Sequence, residues 1–364
     1  MIPTELAEVV ARALPVMVFL VAITVVAEIS DLAGVFDVAG HATARLAGQR
    51  VLVLWLLMAA LAVLVTVFLG LDTTAVLLTP VALTVARQIG VSATPFAVTT
   101  LFLANTASLF LPVSNLTNLL AVHRFSQLGL DHGDVVALAV APGGAAVVGT
   151  LVVVWIAHRR DLRGRFVARA PSLPHDRVLL RVAGSACLVI GPLFALGGPP
   201  WLVAGLAAAA LVGALRWRAP HLLRSVRPPW GMALVVGALL AVVQLAVSHG
   251  AGGPLADLLG RGEHLGALAR IAGVAALGSN LVNNLPGYLA LEAAAASTSP
   301  ERLMALLIGT NVGPLVTPWG SLATLLWLHR MRAAGARPDL LVLSAQGLAV
   351  AVVAGGAALL VLAA

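Results

Sequence analysis

The chain has 364 residues, 60% of them hydrophobic and only 10% charged, with a mean hydropathy of +1.02, whereas a soluble domain is about 25% charged. That composition places it in a bilayer, and the lack of alternating polar and apolar ~10-residue segments excludes a β-barrel, leaving an all-α polytopic membrane protein. All 22 basic residues are arginines, which excludes a P-loop lysine or a Schiff base, and the net charge of +7 lies in loops beside apolar runs, where it reports topology rather than a nucleic-acid partner.

The opening "MIPTELAEVV" is acidic where a cleavable signal peptide would be basic, so none is expected. Apolar runs follow at 11–30, 51–69, 75–90, 96–122, 134–157, 178–195, 200–215, 230–248, 265–296 (interrupted), 302–328 and 340–363. Most approach the ~20 residues that cross ~30 Å of hydrocarbon. The basic stretches 158–177, 216–229 and 329–338 are read as cytoplasmic. Spans 178–195 and 200–215, joined by "LGGPP", fit between the first two. Trp201, Trp217 and Trp230 fall at span ends, where interfacial aromatics belong. The single Cys187 reads as a small residue packed between helices; alone it makes no intrachain disulfide and no metal framework.

Sliding the sequence by 206 aligns 71–120 with 277–326 without a gap, and eleven of fifty positions are identical. They include Pro80/Pro286, Asn105/Asn311 and Pro112/Pro318. A repeat this long points to an inverted-topology transporter. Its halves are 1–157 and 228–364, with the basic loops and helix pair of 158–227 as the bridge. Span 230–248 leaves a cytoplasmic loop and runs outward, so 11–30 runs inward. Each half then needs a re-entrant hairpin, 51–92 from the cytoplasm and about 265–298 from outside. A broken crossing helix follows each, at 96–122 and 302–328. The expected fold is eight crossing helices, two re-entrant hairpins and two broken helices. On it sixteen arginines fall inside and four outside (Arg12, Arg124, Arg261 and Arg302), with Arg181 and Arg270 within segments.

Irregular backbone at membrane depth survives only where protein or a wet cavity satisfies it. "GLDTT" (70–74) and "GSNLVNN" (278–284) are the expected hairpin tips, while Pro112 and Pro318 break the crossing helices just before "SNLTN" and "GSLAT". Four breaks at corresponding depths would meet near the midplane, where half-helix N-termini and freed carbonyls build a polar pocket. Asp72 is the candidate proton-coupling group, because desolvation disfavours a bare carboxylate at that depth; it could equally cap the following helix. Thr73, Thr74, Asn105, Ser114, Asn115 and Asn118 are expected to line one half-site for substrate and ion. Ser279, Asn280, Asn283, Asn284, Asn311, Thr317 and Ser321 are expected to line the other. The competing role for such residues is hydrogen-bonded glue between helices. Glu28, Asp31, Glu292, His123 and His329 read as interfacial.

At these residues the sequence resembles the arsenite/antimonite efflux permeases of the ion transporter superfamily, which also holds sodium-coupled dicarboxylate carriers. The motifs are "GPLVTPWGSLATLLWLH" (313–329), "NTASLFLPVSNLTNLL" (105–120), "NLVNNLP" (280–286) and "DTTAVLLTP" (72–80), with a weaker likeness over nearly the whole chain. The N-terminus is short of that family by roughly one pair of spans. The resemblance implies export of trivalent arsenic or antimony hydroxide across the cytoplasmic membrane, by proton antiport or with a partner ATPase. It implies no cofactor, no resident metal and no catalysis, and leaves a homodimer open. Asn105 and Asn311 stand where the family favours Asp, and a basic residue is missing near Leu315. The alternative is a sodium- or proton-coupled carrier of a carboxylate or inorganic anion on the same fold. An intramembrane enzyme would need paired catalytic groups at one depth, and Asp72 has only Gly278 opposite it in the repeat.

Overall fold

The computed structural model describes residues 3–167, 176–248, 252–295 and 299–364. Residues 168–175 of the first basic stretch and 296–298 at the end of the expected second hairpin lie outside them. The described residues form seventeen α-helices and no strand beyond one bridge between Arg50 and Arg165. Seven of the described helices are long and apolar enough to cross a membrane, so this is a multi-pass membrane protein.

Helix α1 (Pro3–Leu32) turns at Gly34, at φ 80°, into the short α2 (Val35–Leu46). Helix α2 was not expected, because its mixed composition resembles a loop. Helix α3 (Val51–Leu69) is the first leg of a hairpin, and its 19 residues span about 28 Å. The chain reverses at Gly70 (φ 89°, ψ 161°). It returns through α4 (Leu71–Thr73), a π turn over Thr74–Leu78, and α5 (Thr79–Gln88).

A broken helix follows. Helix α6 (Thr94–Thr106) starts with Pro95 in its first turn, where a missing N–H costs nothing. The chain passes through 3₁₀ turns at Ala107–Leu109 and Pro112–Ser114 and restarts as α7 (Leu116–Gln127), capped by the Asn115 side chain. Helix α8 (His132–His158) closes the first half behind an Asp131–Asp134 capping box. The bridge is α9 (Arg177–Ala195) and α10 (Pro200–Arg218).

The second half repeats the plan: α11 (Trp230–Ser248), the short α12 (Gly252–Leu259), then the hairpin α13 (Leu265–Val282) and α14 (Asn284–Ala295). The broken pair is α15 (Pro300–Val312) and α16 (Leu322–Ala333), separated by a 3₁₀ turn at Gly313–Leu315 and irregular backbone; α17 (Leu340–Leu362) closes the half. Each half-helix of 12 or 13 residues covers about 18–20 Å, so the breaks sit near the middle of a ~40–45 Å membrane.

The repeat is visible in the packing. The equivalent helices α8 and α17 lie against each other, with Gly149 against the backbone of Ala354. The equivalents α1 and α11 also touch. Each hairpin reaches into the opposite half: the turn after Gly70 meets α16, and α14 meets α7.

One register expectation is corrected. The offset of 206 holds at the caps Asn115 and Ser321, but the hairpins reverse at Gly70 and Asn283, 213 residues apart. Pro80 and Pro286 are therefore not equivalent. Gly278 to Val282 keep their helical hydrogen bonds, so the second tip is narrower than "GSNLVNN". Asn283 (φ 85°, ψ 155°) adopts a conformation essentially reserved for glycine, at a cost of about 1–3 kcal/mol.

The described parts of all three basic stretches gather at the feet of the first hairpin and the end of α1. Val51 donates to the Gly164 carbonyl, Arg87 to that of Ala334, and the Arg227 amide to the Glu28 carboxylate. Trp201, Trp217 and Trp230 are exposed at helix ends.

Candidate functional site

A cavity of about 390 Å³ lies where the first hairpin tip, the starts of α7 and α16, the second hairpin tip and one face of α11 converge. Asp72, Asn115, Asn283 and Asn284 line it, and Asp72 is the only ionisable residue among the described residues of its lining. No arginine or histidine lines it. One Asp72 oxygen, Oδ1, is enclosed without a hydrogen-bond partner. Leu116 and Leu322, the first residues of α7 and α16, also reach the cavity. Two half-helix N-termini thus present amide donors and positive dipole ends there.

The two breaks are tied to each other by amide side chains. Asn311 Oδ1 accepts from Asn115 Nδ2 at 2.8 Å and from Thr117 Oγ1 at 2.9 Å, while Asn311 Nδ2 donates to Asn118 Oδ1 at 2.7 Å. Asn118 Nδ2 donates in turn to the Ser108 carbonyl at 2.6 Å. These bonds form a clasp that joins the two halves, and of the three asparagines only Asn115 also lines the cavity. The arrangement is one-sided. Asn105, the repeat partner of Asn311, is fully buried; its amide donates to Leu101 at 3.1 Å, and its Oδ1 has no partner. The residues that would mirror the clasp bond to each other instead, Ser321 Oγ to Thr324 Oγ1 at 2.9 Å.

Most other expected residues turn away from the cavity to satisfy local backbone. Thr73 donates to the Leu69 carbonyl at 2.7 Å, Thr74 shares a hydrogen bond with Thr66 at 2.8 Å, and Ser114 donates to Val67 at 2.9 Å. Asn280 pins the second break to its own hairpin: it donates to Gly313 at 2.8 Å and accepts from Thr317 N–H and hydroxyl, both at 2.9 Å. Ser321 caps α16, accepting from Thr324 N–H at 3.1 Å. The Ser279 hydroxyl is buried without a partner. Asn283 donates to the Trp319 carbonyl at 2.9 Å, and the Asn284 amide to Gly320 at 2.9 Å.

Two features escaped the sequence reading. The α11 face of Met232, Val235, Val236 and Leu239 forms one cavity wall; a uniformly apolar run gives no signal of which face is used. Glu292, expected at the surface, is buried; it accepts from Tyr288 at 2.7 Å and pairs with Arg124 at 3.7 Å, linking α14 to α7. The spacing of Tyr288 to Glu292, one helical turn, was the available clue. Among the described residues no three His, Cys, Asp or Glu side chains cluster closely enough to hold a metal ion.

Comparison with known proteins gives three findings. Residues 3–302 match the profile of the family described as citrate transporter. The chain is 29% identical over 336 residues to the arsenical pump membrane protein of Escherichia coli (strain K12), which covers 85% of this chain and 76% of that one. It is 29% identical over 332 residues to the protein of that name from Yersinia enterocolitica, with the same coverage. Among solved structures, the YdaH transporter of Alcanivorax borkumensis superposes with a TM-score of 0.65 at 15% identity, over 99% of this chain and 87% of that one. At that identity the likeness is one of fold.

Proposed function

The chain belongs to the citrate transporter family of membrane transporters, and from that premise we propose that it exports trivalent arsenic or antimony hydroxide by proton antiport. The reading rests on one observation: the cavity between the tips and breaks holds a single carboxyl group and no cation. A citrate-like anion would meet Asp72 without any positive side chain to offset it. A neutral trihydroxide needs only donors and acceptors, which Asn115, Asn283, Asn284 and two helix starts supply. The names carried by the relatives from Escherichia coli and Yersinia enterocolitica support the same substrate class.

In this scheme Asp72 takes up a proton from outside and releases it inside as the hydroxide leaves in the opposite direction. Alternating access follows from the inverted halves, with the hairpins and breaks moving against α9, α10 and their neighbours. Met232 to Leu239 lie on the half of α11 nearer the basic loop 216–229, the side read as cytoplasmic. The clasp holds the two breaks together as one body, which carries the site without dismantling it. Sodium- or proton-driven carboxylate transport is the second reading; the two helix N-termini at the cavity favour it.

Proteoliposomes decide between them. An imposed proton gradient should drive arsenite flux, and citrate should neither compete nor be carried. A sodium gradient driving citrate uptake, with arsenite inert, would overturn the proposal.

A further inference from the structure

The feet of the first hairpin carry a feature that transport does not use. Gln49 accepts a hydrogen bond from the Phe166 amide at 2.9 Å, and Gly164 accepts one from Val51 at 3.3 Å. These bonds place Arg50 directly opposite Arg165 in an antiparallel bridge. Like charges opposed across such a pair repel and destabilise it. Arg87 lines the same crevice, its guanidinium held by the Ala334 carbonyl at 2.8 Å. Among the described residues none of the three arginines pairs with a carboxylate. The crevice, about 560 Å³, is lined by Gln49 and Gln88 beside Arg87 and Arg165, with no acidic residue. Gln49 is also held at φ 66°, in the left-handed region that a side chain of its kind rarely adopts. Two arginines line the crevice, a third stands opposite Arg165 in the bridge, and no described carboxylate pairs with any of them, an arrangement suited to an anion.

The surroundings say which kind. Ile89, Phe166 and Val167 complete the lining. Two residues beyond Arg50 an exposed apolar stripe begins, Leu52, Leu56 and Leu64, along one side of α3. It leads toward an apolar groove of about 600 Å³ between α2, α3 and α9, lined by Leu61, Leu64, Phe68, Leu188 and Gly184 among others. Free phosphate would use the arginines alone. A phospholipid uses both.

We propose that this crevice binds the phosphate of an anionic phospholipid, with an acyl chain laid along α3 into the groove between α2, α3 and α9. Basic pockets between helices on the cytoplasmic side are a recurrent means of holding such headgroups. The lipid neutralises Arg87 and Arg165, relieves the repulsion between Arg165 and the Arg50 opposite it, and contacts the end of the first hairpin remote from Asp72.

Native mass spectrometry of the full-length protein, titrated with phosphatidylglycerol, phosphatidylcholine or inorganic phosphate, tests this. Phosphatidylglycerol should bind well ahead of phosphatidylcholine. Arg165→Gln should weaken it roughly fivefold, and Arg50→Gln with Arg165→Gln about 25-fold; Arg165→Lys should restore most of the loss. A Cβ at Gly184 meets nothing within 4 Å, so Gly184→Trp can fill the groove without disturbing the helix, and it should shorten phosphatidylglycerol retention. Thermal unfolding of each variant checks that it is folded. Equal affinity for the two lipids, or full affinity in the folded double variant, overturns the proposal. Displacement of phosphatidylglycerol by inorganic phosphate with no effect of Gly184→Trp would make this a free-anion site and overturn the lipid assignment.

Discussion

Replacing Asn311 with leucine, which has nearly the same shape, isolates the clasp between the halves. Asn311→Leu removes three hydrogen bonds, to Asn115, Thr117 and Asn118. At ~0.6 kcal/mol for an average interhelical bond in a membrane protein, their loss amounts to about 2 kcal/mol. The stranded Asn115 amide adds to this, since a buried polar group left unpaired costs ~1–3 kcal/mol, whereas Asn118 Oδ1 keeps the Thr117 hydroxyl as a donor at 3.4 Å. The expected total is about 3–5 kcal/mol. The repeat partner supplies the control. Asn105→Leu removes one bond, to Leu101, together with an oxygen that has no partner, so its effect should stay within about 1 kcal/mol. Thermal unfolding followed by tryptophan fluorescence, in one detergent and lipid, measures both. Asn311→Leu should melt several degrees below the parent and Asn105→Leu close to it. Equal losses, or the larger loss at Asn105, would refute the one-sided clasp.

The hairpin tips give a second pair. Gly70→Ala places a methyl on a backbone at φ 89°, and should cost about 1–3 kcal/mol in the same assay. Asn283→Gly relieves the equivalent strain but forfeits the bond to Trp319; it should melt no lower than the parent, and a marked loss would show that the bond outweighs the strain. In α17, an added Cβ at Gly347 would overlap the Leu315 carbonyl in the second break. Gly347→Ala should therefore lower stability by about 1–3 kcal/mol, whereas Gly273→Ala, where nothing lies within 4 Å, should be neutral or stabilising by up to ~1 kcal/mol. Matching behaviour of the two glycine variants would mean that α17 does not press on the break.

The breaks were legible in the sequence because their chemistry is local. Pro112 cannot donate, and Asn115 and Ser321 cap the helices that follow. The hairpin register was not, because it depends on one φ angle at Asn283 that no residue type announces. Pro80 and Pro286 matched at the wrong offset because each sits in the first turn of a helix, where proline is favoured, but at different distances from its hairpin tip. Only four of the polar residues expected at the site, Asp72, Asn115, Asn283 and Asn284, line the cavity, and the sequence does not separate their roles from those of the others. Whether an asparagine faces a cavity, as Asn284 does, or closes a clasp, as Asn311 does, is set by which way a helix is rotated. The sequence repeat itself predicted that Asn105 and Asn311 would behave alike, and the packing of the two halves makes them differ. The α11 wall and the arginine crevice depend on segments far apart in the chain, brought together only by the fold.

In the proposed mechanism Asp72 carries the coupling proton. The direct measurement is proton-driven arsenite flux in proteoliposomes for Asp72→Asn, paired with arsenite exchange in the absence of any gradient. Gradient-driven flux and its pH dependence should disappear, while exchange and folding persist because the amide keeps the side chain's shape. Gradient-driven flux at the parent's rate and with the parent's pH profile would contradict it.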